Sequence, residues 1–447
     1  MTIALLLLLG QDLEITQEKL DALHKEVRPL VEKATGRQFK AHPTVVIAKP
    51  DDVTEVLTEE LVPQIKLQFP GMTEDKHRDM ASGMARQFSL MLLGKYAASG
   101  NRIFVVAGNF KKLSDLLKKP LINSPGYLRT AFMHELVHAL DEQEHKAMSR
   151  VGEIKTAEEL IVWNAVIEGH AQHVTRAILV GEKKEELFND FEAQTVAGAP
   201  GMSEGEKHMA EMQTMYLRLA YVDGRKFFDA VAASGRKTYV DDVFSKPPSG
   251  KDVILHPERY YDPKAAPAAR DCKPLFDSIA ADREDWTGQR LKMGELEVRA
   301  SFGSFVDKKE VDAIIPRLVG ASAMTLTPKD APGTKMWAAV VMQMDGAEPA
   351  KTLLGMFDKM ARAQDEKMKE GAVRIVKAEY SELKNKAGVA NLLARKRMQV
   401  QGQEVPLANV LAAIGEYLVQ FVVSNEEITD EDLAKQLERI HEFLKGK

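Results

Sequence analysis

The sequence predicts an α+β protein in which a mainly helical domain with a small edge sheet precedes a smaller α+β domain. Two patterns lead to this prediction. In the first part of the chain, apolar residues recur at helical spacing over long segments, with only short β-branched stretches between them. Beyond about Met293, strand patterns alternate with helical ones. We therefore expect domains at 11–290 and 291–447, after a separate segment at 1–10.

The composition is typical of a folded protein and limits the kinds of partner. The chain has 447 residues, of which 45% are hydrophobic and 28% are charged, and its formal net charge is -5. Because Lys and Arg do not exceed Asp and Glu, we expect no nucleic-acid partner. The single cysteine, Cys272, can form neither an internal disulfide nor a thiolate cluster. A bound metal would therefore rely on His and carboxylate ligands.

An apolar run from Ile3 to Leu9 is the only segment that suggests targeting. It reaches the lower limit of the hydrophobic region of a secretory signal, and a membrane-spanning helix would need about 20 apolar residues. We interpret the run as a shortened export signal, which predicts a periplasmic, cell-surface or secreted protein. The alternative is a buried first strand in a cytoplasmic protein. No other segment is predicted to cross a membrane.

Helical spacing and turn signals predict the first elements of the chain. Apolar residues three and four positions apart define helices, and short β-branched runs between turn signals define strands. The predicted elements are a helix at 13–34, a strand at 44–48, helices at 53–67 and 75–93, and a strand at 101–110.

Two longer helices follow, and each begins with a capping signal. The first starts at Ser124 and continues to about Glu144. The second starts at a capping box formed by Thr156 and Glu159, and it ends near Gly181. Two further helices fit 205–222 and 225–233, before a Pro- and Ala-rich stretch at 244–271 that we expect to be irregular.

The last part of the chain has the pattern of a separate domain. The expected elements are a strand at 336–344, a helix at 347–369, paired strands at 372–383 and 388–400, an apolar segment at 411–424 that is a strand or a helix, and a terminal helix at 428–444.

An H-E-x-x-H motif, His134 to His138, lies in the middle of the first long helix. Residues i and i+4 lie on one helix face, so both imidazoles can reach a single Zn²⁺. Glu135 is turned by about 100° from His134, beside the metal. There it can deprotonate a water molecule whose pKa zinc lowers to about 7. The alternative is a pair of structural histidines on an ordinary helix.

A catalytic zinc commonly has three protein ligands and one open position. The metzincin pattern is excluded, because Glu144 stands where that pattern requires a third histidine and Asp141 where it requires glycine. Glu168 lies in the middle of the otherwise apolar second helix. A buried unpaired carboxylate is costly, and a metal ion would be a suitable partner. Glu168 is therefore our candidate for the third ligand.

His170 and His173 compete with Glu168 for this role. On a helix they are rotated from Glu168 by about 200° and 140°, so at most one of the three side chains faces the metal. We favour Glu168 and expect the two histidines either to lie at the surface or to support a ligand without binding the metal. Gly169 and Ala171 are small, which would allow this helix to approach the H-E-x-x-H helix closely.

These motifs resemble those of the gluzincins, the thermolysin-like zinc metallopeptidases. More narrowly, the chain looks like a bacterial group of zinc peptidase-like proteins with H-E-x-x-H-A-L, [IV]-E-G and L-H-P-E-[RK]-Y segments. The matching stretches are His134–Leu140, Ile167–Gly169 and Leu255–Tyr260. The resemblance covers about 127–261 and implies a zincin-like metallopeptidase domain.

The resemblance also implies a set of functional residues. His134, His138 and Glu168 would bind Zn²⁺, and Glu135 would be the general base. The sequence departs from the group at one position, because relatives carry Asp four residues after the second histidine. This chain has Glu142 there and places Asp141 one residue earlier, which leaves open which carboxylate orients a ligand histidine.

Hydrolysis of a peptide bond also needs a donor to the developing oxyanion. His256 is the first candidate and Tyr260 the second, both in the predicted irregular segment. The alternative is that this segment only packs against the fold. In zincins an exposed edge strand pairs with the substrate, and by this resemblance 102–109 would be that strand.

The sequence thus predicts a zinc metallopeptidase, a protease that hydrolyses peptide bonds in peptide or protein substrates with a metal-activated water. An endopeptidase is favoured over an aminopeptidase, because no acidic motif upstream would bind a free amino terminus. The alternative is a non-catalytic metal-binding scaffold or binding protein that retains the zincin fold. Hydrolysis of a non-peptide amide or ester would use the same chemistry.

Overall fold

The computed structural model describes residues 13–69, 72–196, 214–262, 264, 269–302, 305–331, 334–369, 373–400 and 402–446. The chain divides into two compact units, residues 1–263 and 264–447, whereas the sequence places the domain boundary at 290. The predicted class, a helical unit with a small sheet and then a smaller α+β unit, is confirmed. The predicted export signal lies outside the described residues. None of the described helices is long and apolar enough to cross a membrane.

The first unit consists of helices around a three-stranded sheet. The strand order is β1-β3-β2, with β1 parallel and β2 antiparallel to β3. Its elements are α1 (Gln17–Thr35), β1 (Thr44–Ile47), α2 (Pro50–Gln68), α3 (Glu74–Ser89), β2 (Gly94–Ala97), β3 (Arg102–Val105), α4 (Ala107–Leu117), α5 (Pro125–His145), α6 (Ala157–Gly181), α7 (Glu185–Thr195), a π-helical turn (Leu219–Asp223), α8 (Gly224–Ala233), α9 (Tyr239–Ser245), α10 (Lys251–Leu255) and α11 (Glu258–Tyr261).

Helix α5, which carries the H-E-x-x-H motif, is the central helix of this unit. As predicted, it begins at Ser124, whose side chain accepts a hydrogen bond from the amide of Tyr127. Its residues are buried around most of its circumference and pack against α1, α6 and the sheet. Burial on all sides is typical of a helix in a protein interior. The two histidines of the motif are therefore enclosed by apolar neighbours.

Helix α6 packs along α5 and begins at the predicted capping box. The amide of Glu159 donates to the hydroxyl of Thr156 at 3.1 Å, and the amide of Thr156 donates to the carboxylate of Glu159 at 3.2 Å. One turn further on, the indole of Trp163 donates to the carbonyl of Ala147 at 2.8 Å. Ala147 follows the end of α5, so this contact joins the two helices.

The sharpest constraint on α6 is its crossing with α8. A Cβ atom on Gly169 would lie 2.4 Å from the carbonyl carbon of Gly224, and one on Gly224 would lie 2.3 Å from the carbonyl oxygen of Ala165. Both distances are too short for any side chain. Gly169 is therefore small because α8 crosses there, and not because of α5 as the sequence suggested. Gly224 directly follows the π-helical turn, so the crossing also places that turn.

The strand predicted at 101–110 is shorter in the structure and lies at a different place in the sheet than expected. Only Arg102–Val105 forms a strand, because helix α4 already begins at Ala107. This strand, β3, lies in the middle of the sheet with β1 and β2 on its two sides. The prediction that 102–109 is the exposed edge strand is therefore wrong. Strands β1 and β2 are the two outer strands, so each has one side without a strand partner in this sheet.

The second unit is built on a seven-stranded antiparallel sheet with the order β4-β5-β6-β10-β9-β8-β7. The predicted strand at 336–344 and the predicted pair of strands after it are confirmed, and the ambiguous segment at 411–424 forms strand residues of a hairpin. The elements are α12 (Lys273–Ala281), β4 (Trp286–Met293), α13 (Glu295–Phe302), α14 (Lys308–Ile314), β5 (Leu318–Pro328), β6 (Met336–Met344), α15 (Ala347–Lys367), β7 (Val373–Ser381), β8 (Asn391–Val400), β9 (Gln403–Ile414), β10 (Tyr417–Ser424) and α16 (Asp430–Lys445).

Helices cover both faces of this sheet. Helices α12 and α16 pack on one face, and α13, α14 and α15 pack on the other. Neighbouring residues of one strand alternate between the two cores, as Val341 and Met342 do. Burial raises the pKa of Cys272 to about 11, which is consistent with an inert thiol. The stretch predicted to be irregular at 244–271 contains the short helices α10 and α11.

Substitution of Gly169 by Ala is expected to destabilise the first unit. The new methyl group would overlap the backbone of Gly224, and overpacking of this kind costs about 1–3 kcal/mol. The matched control is Gly83→Ala in α3, where a Cβ atom meets nothing within 4 Å. There the higher helix propensity of alanine should increase stability by about 0.5–1 kcal/mol. Urea unfolding of the two variants measures both effects, and equal stabilities would contradict the crossing.

Candidate metal centre

His134, His138 and Glu168 converge between α5 and α6. The Nε2 atoms of His134 and His138 lie 3.0 Å apart, and they lie 3.0 Å and 3.2 Å from Oε2 of Glu168. The side chains of the two histidines are 6% and 4% exposed, and that of Glu168 is 23% exposed. The three residues predicted as ligands thus form a group that could hold a metal ion.

The chemistry and spacing of this group fit zinc. Two imidazole nitrogens and one carboxylate oxygen are a common ligand set of catalytic zinc. Tetrahedral angles and Zn–N bonds of about 2.0–2.1 Å place neighbouring ligand atoms about 3.3 Å apart. The distances between the ligand atoms here, 3.0–3.2 Å, are close to that value. Three protein ligands would leave one tetrahedral position open.

The three ligands also stabilise one another electrostatically. Burial alone would raise the pKa of Glu168, but the neighbouring His138 and His134 hold it well below its usual range. Burial alone would lower the pKa of His138, but the carboxylate of Glu168 overrides this and raises it. A carboxylate therefore stays ionised inside an apolar unit because two imidazoles surround it.

Glu135 lies outside this group, against the open edge of β2. Its Oε2 atom accepts a hydrogen bond from the amide of Tyr96 at 2.6 Å. A Cβ atom on Gly94 would lie 3.0 Å from Cγ of Glu135, so the absence of a side chain there gives the glutamate its place. The predicted general base is thus fixed beside the ligands by a strand that sequence reasoning did not connect with it.

The backbone of β2 presents alternate residues to its open side. Gly94 lies opposite Val105 and Tyr96 opposite Ile103, while the carbonyl of Leu93 accepts from the amide of Val106 at 3.0 Å. In an antiparallel pair, residues that bond to the partner strand alternate with residues that face away from it. Gly94 and Tyr96 therefore direct their backbone groups to the side where Glu135 lies.

A lysine on β2 adds a positive charge near the centre. Nζ of Lys95 lies 2.8 Å from Oε2 of Glu60 in α2. Burial would lower the pKa of Lys95, but Glu60 raises it, with smaller contributions from Glu135 and Glu168. Lys95 therefore stays charged. The sequence gives no signal for this pair, since its members are far apart in the chain.

The two competing histidines of α6 have other partners. Nδ1 of His170 lies 2.7 Å from Oδ2 of Asp141, and both side chains are buried. Nδ1 of His173 lies 2.6 Å from Oδ1 of Asp229, and its Nε2 lies 3.1 Å from the hydroxyl of Tyr239. Of the three residues considered for the third position, Glu168 is thus the one that faces the motif histidines.

Neither of the acidic residues after the motif contacts a ligand histidine. Asp141 is bound to His170, and Glu142 accepts hydrogen bonds from the amides of Met148 and Ser149 at 2.7 Å and 3.1 Å. The Nδ1 atoms of His134 and His138 are buried without a hydrogen-bond partner among the described residues. The carboxylate that orients a ligand histidine in many zinc sites therefore has no counterpart in the described structure.

Tyr221, which the sequence does not single out, is the further side chain at this centre. Its ring stacks on that of His134 with the centroids 6.0 Å apart and the planes at 23°. Its hydroxyl interacts with the carboxylate of Glu168. Burial, together with the charges of Glu168 and Glu135, raises the pKa of Tyr221 well above its ordinary value, so the hydroxyl is a donor. The π-helical turn that carries it has no recognisable sequence pattern.

The two predicted oxyanion donors lie in the α10–α11 segment. The hydroxyl of Tyr260 donates to the carbonyl of Lys246 at 2.8 Å, and its ring lies against those of Phe227 and Tyr261. His256 caps the end of α10, and its side chain is one-third exposed. These contacts do not test whether either residue donates to the oxyanion, so that role stays a prediction.

Comparison with protein-family models and with curated proteins finds no match. Two solved structures show a distant likeness. One, from Chloroflexus aurantiacus, is described as a candidate hydrolase with a novel fold. The match has 16% sequence identity and a TM-score of 0.40, and it covers 57% of this chain and 93% of that chain. The other, an uncharacterized protein from Mycobacterium smegmatis, matches at 8% identity with a TM-score of 0.23 over 39% and 95% of the two chains. Neither likeness is close enough to support a conclusion about fold or function, and membership of the gluzincins stays a prediction.

Zinc affinity is expected to fall on acidification, beginning above pH 6.5. A histidine must be neutral to bind zinc, and in the metal-free site the pKa of His138 is raised above its ordinary 6.5. Stability of the metal-free protein should show the opposite trend. The contact of His138 with Glu168 contributes fully below pH 6.5 and is lost as the pH rises through the raised pKa.

Calorimetric titration with zinc between about pH 5.5 and 8.5 would measure how the zinc affinity depends on pH. Urea unfolding of the metal-free protein over the same range would measure how its stability depends on pH. A zinc affinity that stays constant down to pH 6.5 would contradict the raised pKa of His138.

Proposed function

We propose that this protein is a zinc-dependent hydrolase that cleaves peptide bonds, with Glu135 as the general base. The observation that carries the proposal is the convergence of His134, His138 and Glu168 with Glu135 beside them. Each of these residues has the chemical type that the reaction needs. The resemblance noted from the motifs supports the same activity.

Each residue has a distinct task in this proposal. Zinc bound in the site would lower the pKa of a water molecule to about 7 and polarise the carbonyl of the substrate. Glu135 would take the proton of the attacking water on its carboxylate and then pass it to the leaving amine. Its hydrogen bond to the amide of Tyr96 fixes the carboxylate in position for both transfers.

The part of the outer edge of β2 that Glu135 does not occupy supports a peptide as the substrate. An extended peptide binds such an edge through backbone hydrogen bonds, which tolerate many side-chain sequences. The backbone groups of Gly94 face the side on which Glu135 lies, so a bound peptide would pass next to the general base. A small ester or non-peptide amide would not need this strand.

Replacing Glu135 by Gln should abolish hydrolysis and leave zinc binding intact. The amide cannot accept the proton, and loss of a general base typically lowers the rate by about 10²–10⁴-fold. Metal analysis and mass spectrometry of a digested peptide library measure the two properties. The matched control is Glu144→Gln on the same helix, whose carboxylate contacts Lys40 and Arg37 at the surface. The control should keep both zinc and activity.

Other outcomes would separate the rival explanations. If zinc-loaded protein cleaves no peptide in the library but hydrolyses a chromogenic ester through Glu135, the substrate class is wrong. If it hydrolyses neither, the non-catalytic scaffold is favoured. If His134→Ala binds zinc as tightly as the original protein, the metal site itself is wrong.

A further inference from the structure

We propose that Tyr221 is the residue that orients the metal ligands, by hydrogen bonding to Glu168 and stacking on His134. This inference rests on the metal centre of the proposed function, but not on hydrolysis. In many zinc sites a carboxylate or carbonyl accepts a hydrogen bond from the other ring nitrogen of a ligand histidine. Here the structure assigns the task to a tyrosine that approaches the ligands from a different side.

The usual means of orientation is absent from the described part of the chain. Nδ1 of His134 and Nδ1 of His138 are both buried there without a partner. The two acidic residues best placed in sequence, Asp141 and Glu142, bind His170 and the backbone after α5. An imidazole without such a bond is free to rotate about its side-chain torsions unless neighbouring groups pack against it.

Tyr221 acts on two of the predicted ligands at the same time. Its ring stacks on one face of the imidazole of His134, while the ring of Phe191 meets that imidazole edge-on at a centroid distance of 6.0 Å. These two contacts restrict rotation of the histidine. The hydroxyl of Tyr221 interacts with the carboxylate of Glu168, so the same side chain also acts on the third predicted ligand.

One close backbone contact helps to place both Tyr221 and Glu168. Gly169 is the residue after Glu168, and Gly224 follows the turn that contains Tyr221. Because these two glycines touch through their backbones, the ligand and the tyrosine are held on either side of one close crossing. Arg225 strengthens the same junction by bonding to Glu192 of α7 at 2.5 Å.

The π-helical turn is the second device that places the tyrosine. Such a turn contains one more residue than an α-helical turn, so it changes the direction of the side chains around it, and it occurs frequently at functional sites. The turn spans Leu219–Asp223, with Leu219 and Ala220 buried and Tyr221 reaching the ligands. In a continuous α-helix the side chain at 221 would point elsewhere.

The test is the zinc affinity of Tyr221→Phe, measured by competition with a chelator. This variant keeps the ring and removes the hydroxyl, and loss of a residue that orients a ligand typically weakens metal binding by about 10–100-fold. We expect at least about a tenfold loss. The visible spectrum of the Co²⁺-substituted protein should also change, because the geometry at Glu168 changes. The matched control is Tyr239→Phe, a half-buried tyrosine whose hydroxyl lies 3.1 Å from His173. The control should retain the original affinity and spectrum.

Tyr221→Gln complements this test, since it keeps a hydrogen-bond donor and removes the stacked ring. It too should weaken zinc binding by about tenfold, and it replaces the first variant if Tyr221→Phe does not fold. The inference is overturned if a folded Tyr221 variant binds zinc like the original protein and keeps its cobalt spectrum. Reduced turnover at unchanged affinity would equally overturn it, because Tyr221 would then act on the substrate. If the original chain binds no zinc, the proposed function fails as well.

Discussion

The contact between the carboxylate of Glu168 and the imidazoles of His134 and His138 is the interaction on which the first unit depends. All three side chains lie between apolar helices, and the carboxylate is ionised there because the imidazoles compensate its charge. Removing one partner of a buried charged pair typically costs about 3–5 kcal/mol, since the other charge is left uncompensated. The same group therefore makes α5 and α6 interdependent and could hold a metal ion.

Other polar contacts join α6 to α5 and to α8. Asp141 bonds to His170 near the centre, and Trp163 bonds to the chain just beyond α5. On the far side of α6, His173 bonds to Asp229, which also accepts from Arg225 at 2.6 Å. The candidate metal centre therefore lies between α5 and α6, which specific bonds and a glycine contact fix to each other and to α8.

Local signals explain what the sequence could predict. The caps of α5 and α6 at Ser124 and Thr156, and the H-E-x-x-H motif, depend on residues a few positions apart, and all are present as expected in the structure. Glu168 could be proposed because a carboxylate in an apolar helix needs a partner. In the second unit, the largely apolar sequence of 336–344 predicted strand β6 in full.

What the sequence could not predict depends on pairings between distant segments. The order β1-β3-β2 places an unexpected strand at the open edge, and the approach of Gly94 to Glu135 follows only from that order. Tyr221 was missed because a π-helical turn has no periodic signature, and because Gly169 finds its counterpart 55 positions later, at Gly224. The extra residue in that turn has a consequence for sequence variation. Deleting any residue of 219–223 other than Tyr221 would restore an α-helical turn and rotate the aromatic ring by about 100° away from the ligands. Homologous chains that share this centre should therefore vary in the side chains of the segment but not in its number of residues.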